Sequence, residues 1–318
     1  MTNERVGSIP RATRESGEEL LEPTRPRIFE AQNTADSRRL VAAQARMYSD
    51  AKILFFGRIC TVFALSILTM ITTIFWPASR LILGGGGGLL LFVGSFIAES
   101  IEKRRRLEAA ATQELFDTRI FKLEWNSLHA SRPSSAAIAQ AASRYRGGRD
   151  KNWYDDTQET HRPFDVLICQ ATNLGWGATM HRLWAWMLVS GSVLMLGLMG
   201  LAWYAFSLTF EVALLTLLVP ALAPFKEITT LVRSNFENTA NKQSTERTIN
   251  ELWEAGMSGT HVPLEGQLRS LQDKILVLRQ TNAYVPDRLD SVFHRRNEAA
   301  MRTSVADRVS QARRSGHG

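Results

Sequence analysis

Two blocks of the chain stay apolar for longer than a globular core helix requires. Residues 183–225 read LWAWMLVSGSVLMLGLMGLAWYAFSLTFEVALLTLLVPALAPF, with Glu211 as the one charge. As one helix this block would run roughly 64 Å, about twice the ~30 Å hydrocarbon core of a bilayer. It fits as two spans joined by a tight turn near Trp203–Ser207. Residues 53–98 repeat the arrangement, broken at Trp76-Pro77. Tryptophan suits the membrane interface and proline ends a helix. The spans are expected at about 55–76, 81–98, 183–203 and 207–225. The fold class that follows is an all-α membrane protein: two transmembrane helical hairpins, four spans, with a cytosolic α-helical domain.

The rest of the pattern is polar and helical. Residues 1–27 carry mixed charge with Pro10, Pro23 and Pro26, bury no apolar face, and read as a disordered tail, as do 313–318. The 28–98 segment begins with a helix from about Ala35, capped by Asn33 or Thr34. Leu40, Ala43, Met47 and Leu54 recur on it at helical spacing, and it runs into the first span. The 99–182 segment predicts an amphipathic helix over 99–130, a small-residue helix over 136–145, and a third from about Pro163. Within 226–312, Ile228, Leu231, Ile249 and Leu252 form one stripe. Further helices are expected over 264–281 and 288–311. No alternating strand pattern and no internal repeat is visible.

Charge turns this pattern into a topology. The 318 residues include 38 Lys and Arg against 31 Asp and Glu, for a net +7. Lys52, Arg58, residues 103–106, Arg182, Lys226 and Arg233 all fall on one side of the two hairpins. Arg80 alone falls on the other. The positive-inside rule then places both termini and the 99–182 segment in the cytoplasm, with the first span as insertion signal. The outer loops are too short to hold anything large, so sensing belongs inside.

The chemistry is sparse. HExxH, GxSxG, Walker and CxxC motifs are absent, the six histidines show no metal spacing, and two cysteines make no disulfide framework. The chain reads as a non-enzyme with no catalytic set, no metal site and no cofactor, and no nucleic-acid partner is expected. Five candidates remain. Arg144, Arg146, Arg149 and Lys151 lie beside Trp153 and Tyr154, a mix that either holds a phosphorylated nucleotide by ion pairs and stacking or forms a solvated face. Gly84, Gly85, Gly86, Gly87 and Gly88 are either tight helix packing or a flexible, pore-lining stretch. Glu211 is either a solvated interface residue or a pore mouth. Pro220 and Pro224 make either a gating hinge or a helix exit. Residues 103–106 either anchor the topology or bind lipid or nucleotide phosphates.

Three stretches carry a family resemblance: QNTADSRRLVAAQARMYSDAK before the first span, KNWYDDT with CQATNLGW before the third, and LQDKILVLRQTNAYVPDRLDSVFHRRNEAAM near the end. Their order around two hairpins resembles the SMODS-associating four-transmembrane effector family of bacterial CBASS-type anti-phage systems, over about residues 28–312. The resemblance implies a functional link to a nucleotidyltransferase whose cyclic nucleotide messenger is the ligand. It implies a homo-oligomer in the lipid bilayer that opens, permeabilises the inner membrane and causes abortive infection. It supplies no ligand residues. A constitutive ion channel or small transporter, and a membrane scaffold recruiting a cytosolic partner, are the other readings; the few polar residues along the spans weigh against a dedicated transport path.

Overall fold

The computed structural model describes residues 27–174 and 177–318, so all but the last residue of the expected 1–27 tail lies outside the described residues. Among these residues the chain is helical, with no strand. A short α1 (Ile28–Gln32) precedes α2 (Ala35–Phe75), whose N-terminus is capped by Thr34, the hydroxyl accepting from Ser37 N at 3.4 Å. A 3-10 turn (Pro77–Ser79) and a π-helical stretch (Arg80–Gly87) lead into α3 (Gly88–Phe121). Then come α4 (Ser135–Arg144), α5 (Phe164–Leu174) and α6 (Gly177–Ala205). A second hairpin returns through α7 (Phe210–Ala213), a π-helical stretch (Leu214–Leu218) and α8 (Val219–Met257). Finally α9 (Glu265–Thr281) and α10 (Asp287–Arg314) close the chain.

Four helices are long and apolar enough to cross a membrane, in the four regions the hydropathy pattern marks. Their apolar windows are 17%, 17%, 11% and 44% buried in chain order, which makes the α8 hairpin arm the central one. Ile67, Leu68, Leu81, Leu90, Leu194 and Leu201 stand exposed on the outside, a surface suited to lipid. At the polar end of the bundle Arg58 pairs with Glu227, and Lys226 pairs with both Glu99 and Glu227. The Lys226 ammonium also sits 4.3 Å from the centre of the Phe96 ring.

The glycine tract divides by position. A Cβ on Gly84 would lie 2.3 Å from the Leu215 carbonyl oxygen, and one on Gly88 3.1 Å from the Pro220 nitrogen. A Cβ on Gly86 would meet nothing, and one on Gly85 only the Leu215 side chain at 3.6 Å. Gly84 and Gly88, four apart, therefore let the two hairpins approach backbone to backbone, as small residues do in membranes. The two π-helical stretches face each other here, and Pro220 offers no N–H to the turn before it. Pro224 likewise leaves the Pro220 carbonyl without its helical donor, and the Ser66 hydroxyl donates to that carbonyl at 2.8 Å. The helix continues past Pro224 to Met257, so neither proline is a helix exit. Glu211 is exposed in the first turn of α7.

The polar domain has its own core of Phe116, Phe121, Phe164, Leu167, Ile249 and Leu271, among others. The helix expected over 99–130 stops at Phe121, with Lys122 left-handed at φ 53°. The Arg162 guanidinium ends it there by donating to the last carbonyls, those of Ile120 and Phe121. The chain end, expected as a free tail, lies against α5: His161 N donates to the His317 carbonyl at 2.7 Å, and the His317 ring is 4.4 Å from that of Phe164.

Candidate functional site

A buried polar network ties α3, α5 and α9 together. Glu114 and Asp117 are three apart on α3, and Arg269, Gln272 and Arg279 share one face of α9. One Arg279 Nη donates to Asp117 Oδ2 at 2.6 Å and to Asn173 Oδ1 at 2.7 Å. Arg269 reaches Glu114 Oε1 at 2.6 Å, and Gln272 Nε2 donates to Glu114 Oε2 at 2.8 Å. The Tyr154 hydroxyl donates to Asp117 Oδ1 at 2.8 Å and accepts from Asn173 Nδ2 at 2.7 Å. Burial pushes the Glu114 carboxyl above its ordinary range, with Arg279 opposing it. Burial, reinforced by Asp117, holds the Tyr154 phenol well above its ordinary value.

A cavity of about 600 Å³ opens beside this network. All four bundle helices contribute to its wall: Tyr48 and Lys52 from α2, Arg106 and Gln113 from α3, Met180 and His181 from α6, and Lys242 from α8. Arg279 of α9, Tyr284 from the segment after it, Asn173 of α5 and Trp153, Tyr154 and Asp155 line it as well. Cations outnumber acids: Lys52, Arg106, Lys242 and Arg279 against Asp155. Arg106 donates to the Asn282 carbonyl at 3.0 Å and lies 5.6 Å from the centre of the Tyr284 ring. Burial pushes the Tyr48 phenol up to about 12 and the Lys242 ammonium down to about 8. A site of this size, with aromatic walls and an excess of cations, suits an anion that carries a flat ring. Among the described residues no group of His, Cys, Asp and Glu is placed to hold a metal ion.

Of the six residues grouped around 144–154, the structure brings Trp153 and Tyr154 to this cavity. Tyr154 has one ring face stacked on Phe116 at 6.3 Å, so Trp153, 39% exposed, is the member of the pair with open surface. Arg144 turns away to Asp50 at 3.0 Å, and Arg146 donates to the carbonyls of Ser143 and Tyr145. Arg149 and Lys151 are exposed and outside the lining. Tyr48, Lys52, His181, Lys242, Arg279 and Tyr284 also line the cavity and are absent from the candidates that the sequence pattern marks. Arg279 and Tyr284 fall in the familiar LVLRQTNAYVPD stretch, a signal that was present. Lys242 sits in a polar helix among many charges, with no local mark.

The family model for the SMODS-associating 4TM effector domain matches residues 26–308. The chain is also 25% identical over 205 residues to a probable CBASS effector molecule of Bacillus cereus (strain VD146), covering 62% of this chain and 69% of that protein. No solved structure matches it.

Proposed function

The chain belongs to the SMODS-associating four-transmembrane effector family, and we propose that it is the membrane effector of a bacterial CBASS-type anti-phage system. In this reading it sits in the inner membrane with both termini and the polar domain in the cytoplasm. A partner nucleotidyltransferase, activated by infection, makes a cyclic nucleotide. The messenger enters the cavity, homo-oligomers form or rearrange, and the membrane is permeabilised; the chain itself catalyses nothing and needs no cofactor. The observation that carries the reading is the cavity wall: one small pocket, rich in cations and aromatics, touches all four membrane helices. A ligand held there acts on every span at once, which is what gating requires, because a ligand shifts an equilibrium only through contacts that differ between the two states.

The test is membrane potential in cells that express the chain with an active or an inactivated partner synthase. Depolarisation with the active synthase alone is the expected result, and Trp153→Ala should raise the messenger level needed. An intact potential with the active synthase sinks the reading. Leak without any synthase points to a constitutive channel instead.

A further inference from the structure

Beside the cavity, α6 and α8 are joined by a chain of hydrogen bonds. Lys242 Nζ lies 3.1 Å from His181 Nε2, and His181 Nδ1 lies 2.7 Å from Asn235 Oδ1. Asn235 Nδ2 in turn donates to the Leu231 carbonyl at 2.7 Å. An ammonium has only donors, so His181 Nε2 accepts and the ring proton sits on Nδ1, donated to Asn235. His181 and Asn235 are 3% and 0% exposed. The tie therefore lies inside the packing of α6 on α8, just beyond the third and fourth spans.

Lys242 is an ill-matched member. Its polar partner is a neutral imidazole, and no carboxylate pairs with it among the described residues. Burial disfavours its charge. Lys52, Arg106 and Arg279 line the same cavity, Arg279 beside Asp117 and Glu114 and Arg106 beside Glu102, so both arginines already meet carboxylates. A phosphate oxygen is a far better partner for this ammonium than an imidazole nitrogen.

We propose that the cavity takes a phosphorylated anion whose phosphate draws Lys242 away from His181, so that occupancy breaks one of the hydrogen bonds His181 makes to α8 and leaves the bond to Asn235 in place. This rests on the ligand reading above and adds to it the contact that changes hands. His181 and the phosphate compete for one ammonium, which makes two substitutions act with opposite sign. Lys242→Met removes the phosphate contact and weakens binding about tenfold or more, since a hydrogen bond to a charged group is worth roughly 1.5–3 kcal/mol. His181→Ala removes the competitor and tightens binding.

The experiment titrates the full chain in detergent with tripolyphosphate and, separately, with a cyclic dinucleotide, reading affinity by calorimetry. Thermal unfolding of each variant checks the fold. Weaker binding for Lys242→Met, recovery in Lys242→Arg and tighter binding for His181→Ala are expected with at least one probe. If both substitutions weaken binding, or neither changes it, the tie is merely structural and the proposal falls. Absence of binding by either probe to the unmodified chain also overturns it. The depolarisation assay judges the effector reading separately: cells that still depolarise with an active synthase while the opposite signs fail keep that reading and lose this one.

Discussion

The apolar bundle and the polar domain are held together by opposite means. In the bundle, the contact between the hairpins is made by absence: Gly84 and Gly88 carry no side chain, and the Leu215 and Pro220 backbones fill the space. In the polar domain, the contact between α3 and α9 is made by charge, with Glu114 and Asp117 facing Arg269 and Arg279. The difference follows from the solvent. Lipid tails are as apolar as leucine, so membrane helices gain from close approach and from satisfied carbonyls rather than from burial. In water, apolar burial supplies the stability, and a buried ion pair adds a strict requirement that its partners all be present. The cavity lies at the seam between the two regimes, where helices held by close approach enter a domain held by charge.

The largest expected effect tests the charged half. Arg279→Met leaves Asp117, which is fully buried, without its cation and Asn173 without its donor. Breaking a buried pair from one side costs about 3–5 kcal/mol. The thermal unfolding midpoint of the full chain in detergent should fall sharply, with Arg279→Lys intermediate because lysine keeps the charge and loses the fork. An unchanged midpoint would mean that the domain is held by its apolar core alone.

The next effect tests the small-residue half. Gly84→Ala puts a methyl group 2.3 Å from the Leu215 oxygen, so the hairpins must move apart. Overpacking of this kind costs about 1–3 kcal/mol. Gly86→Ala meets nothing, and alanine favours a helix by up to ~1 kcal/mol over glycine. The comparison to make is the unfolding midpoint of the two variants side by side. Equal loss at both positions would mean that the tract matters for its flexibility, not for the contact.

The bundle was legible from sequence for a plain reason. Span length is fixed by bilayer thickness, so hydropathy alone marks four helices, and Trp76-Pro77 marks one turn. A helix start with a side-chain cap was also legible at Thr34, whereas the cap at Ser134, which accepts from Ala137 N at 3.1 Å, was not read from the sequence. What hydropathy cannot carry is partnership across the chain. The end of α3 is set by Arg162, some forty residues on, so a reading of periodicity alone ran the helix through Lys122. The cavity is the same problem enlarged. Tyr48, Arg106, His181, Lys242 and Arg279 come from five helices, and nothing local distinguishes Lys242 from its charged neighbours. Trp153 was found because aromatics beside cations are locally visible. Arg144 beside it was grouped by the same rule, and Asp50, far away in sequence, draws it elsewhere.

The smallest effect is the most specific. Pro224 has no N–H, so the Pro220 carbonyl inside the bundle takes its donor from Ser66 on α2. Ser66→Ala strands that carbonyl in an apolar medium, and side-chain hydrogen bonds in membranes average about 0.6 kcal/mol. Pro224→Ala restores the helical N–H and makes the serine redundant. The double variant should therefore show no further loss from Ser66→Ala, a coupling measured by a double-mutant cycle on unfolding midpoints. If Ser66→Ala costs as much in the Pro224→Ala background as in the unmodified chain, the serine acts through packing rather than through the carbonyl. The bundle would then be held by close approach alone, and the contrast with the charged domain would be sharper still.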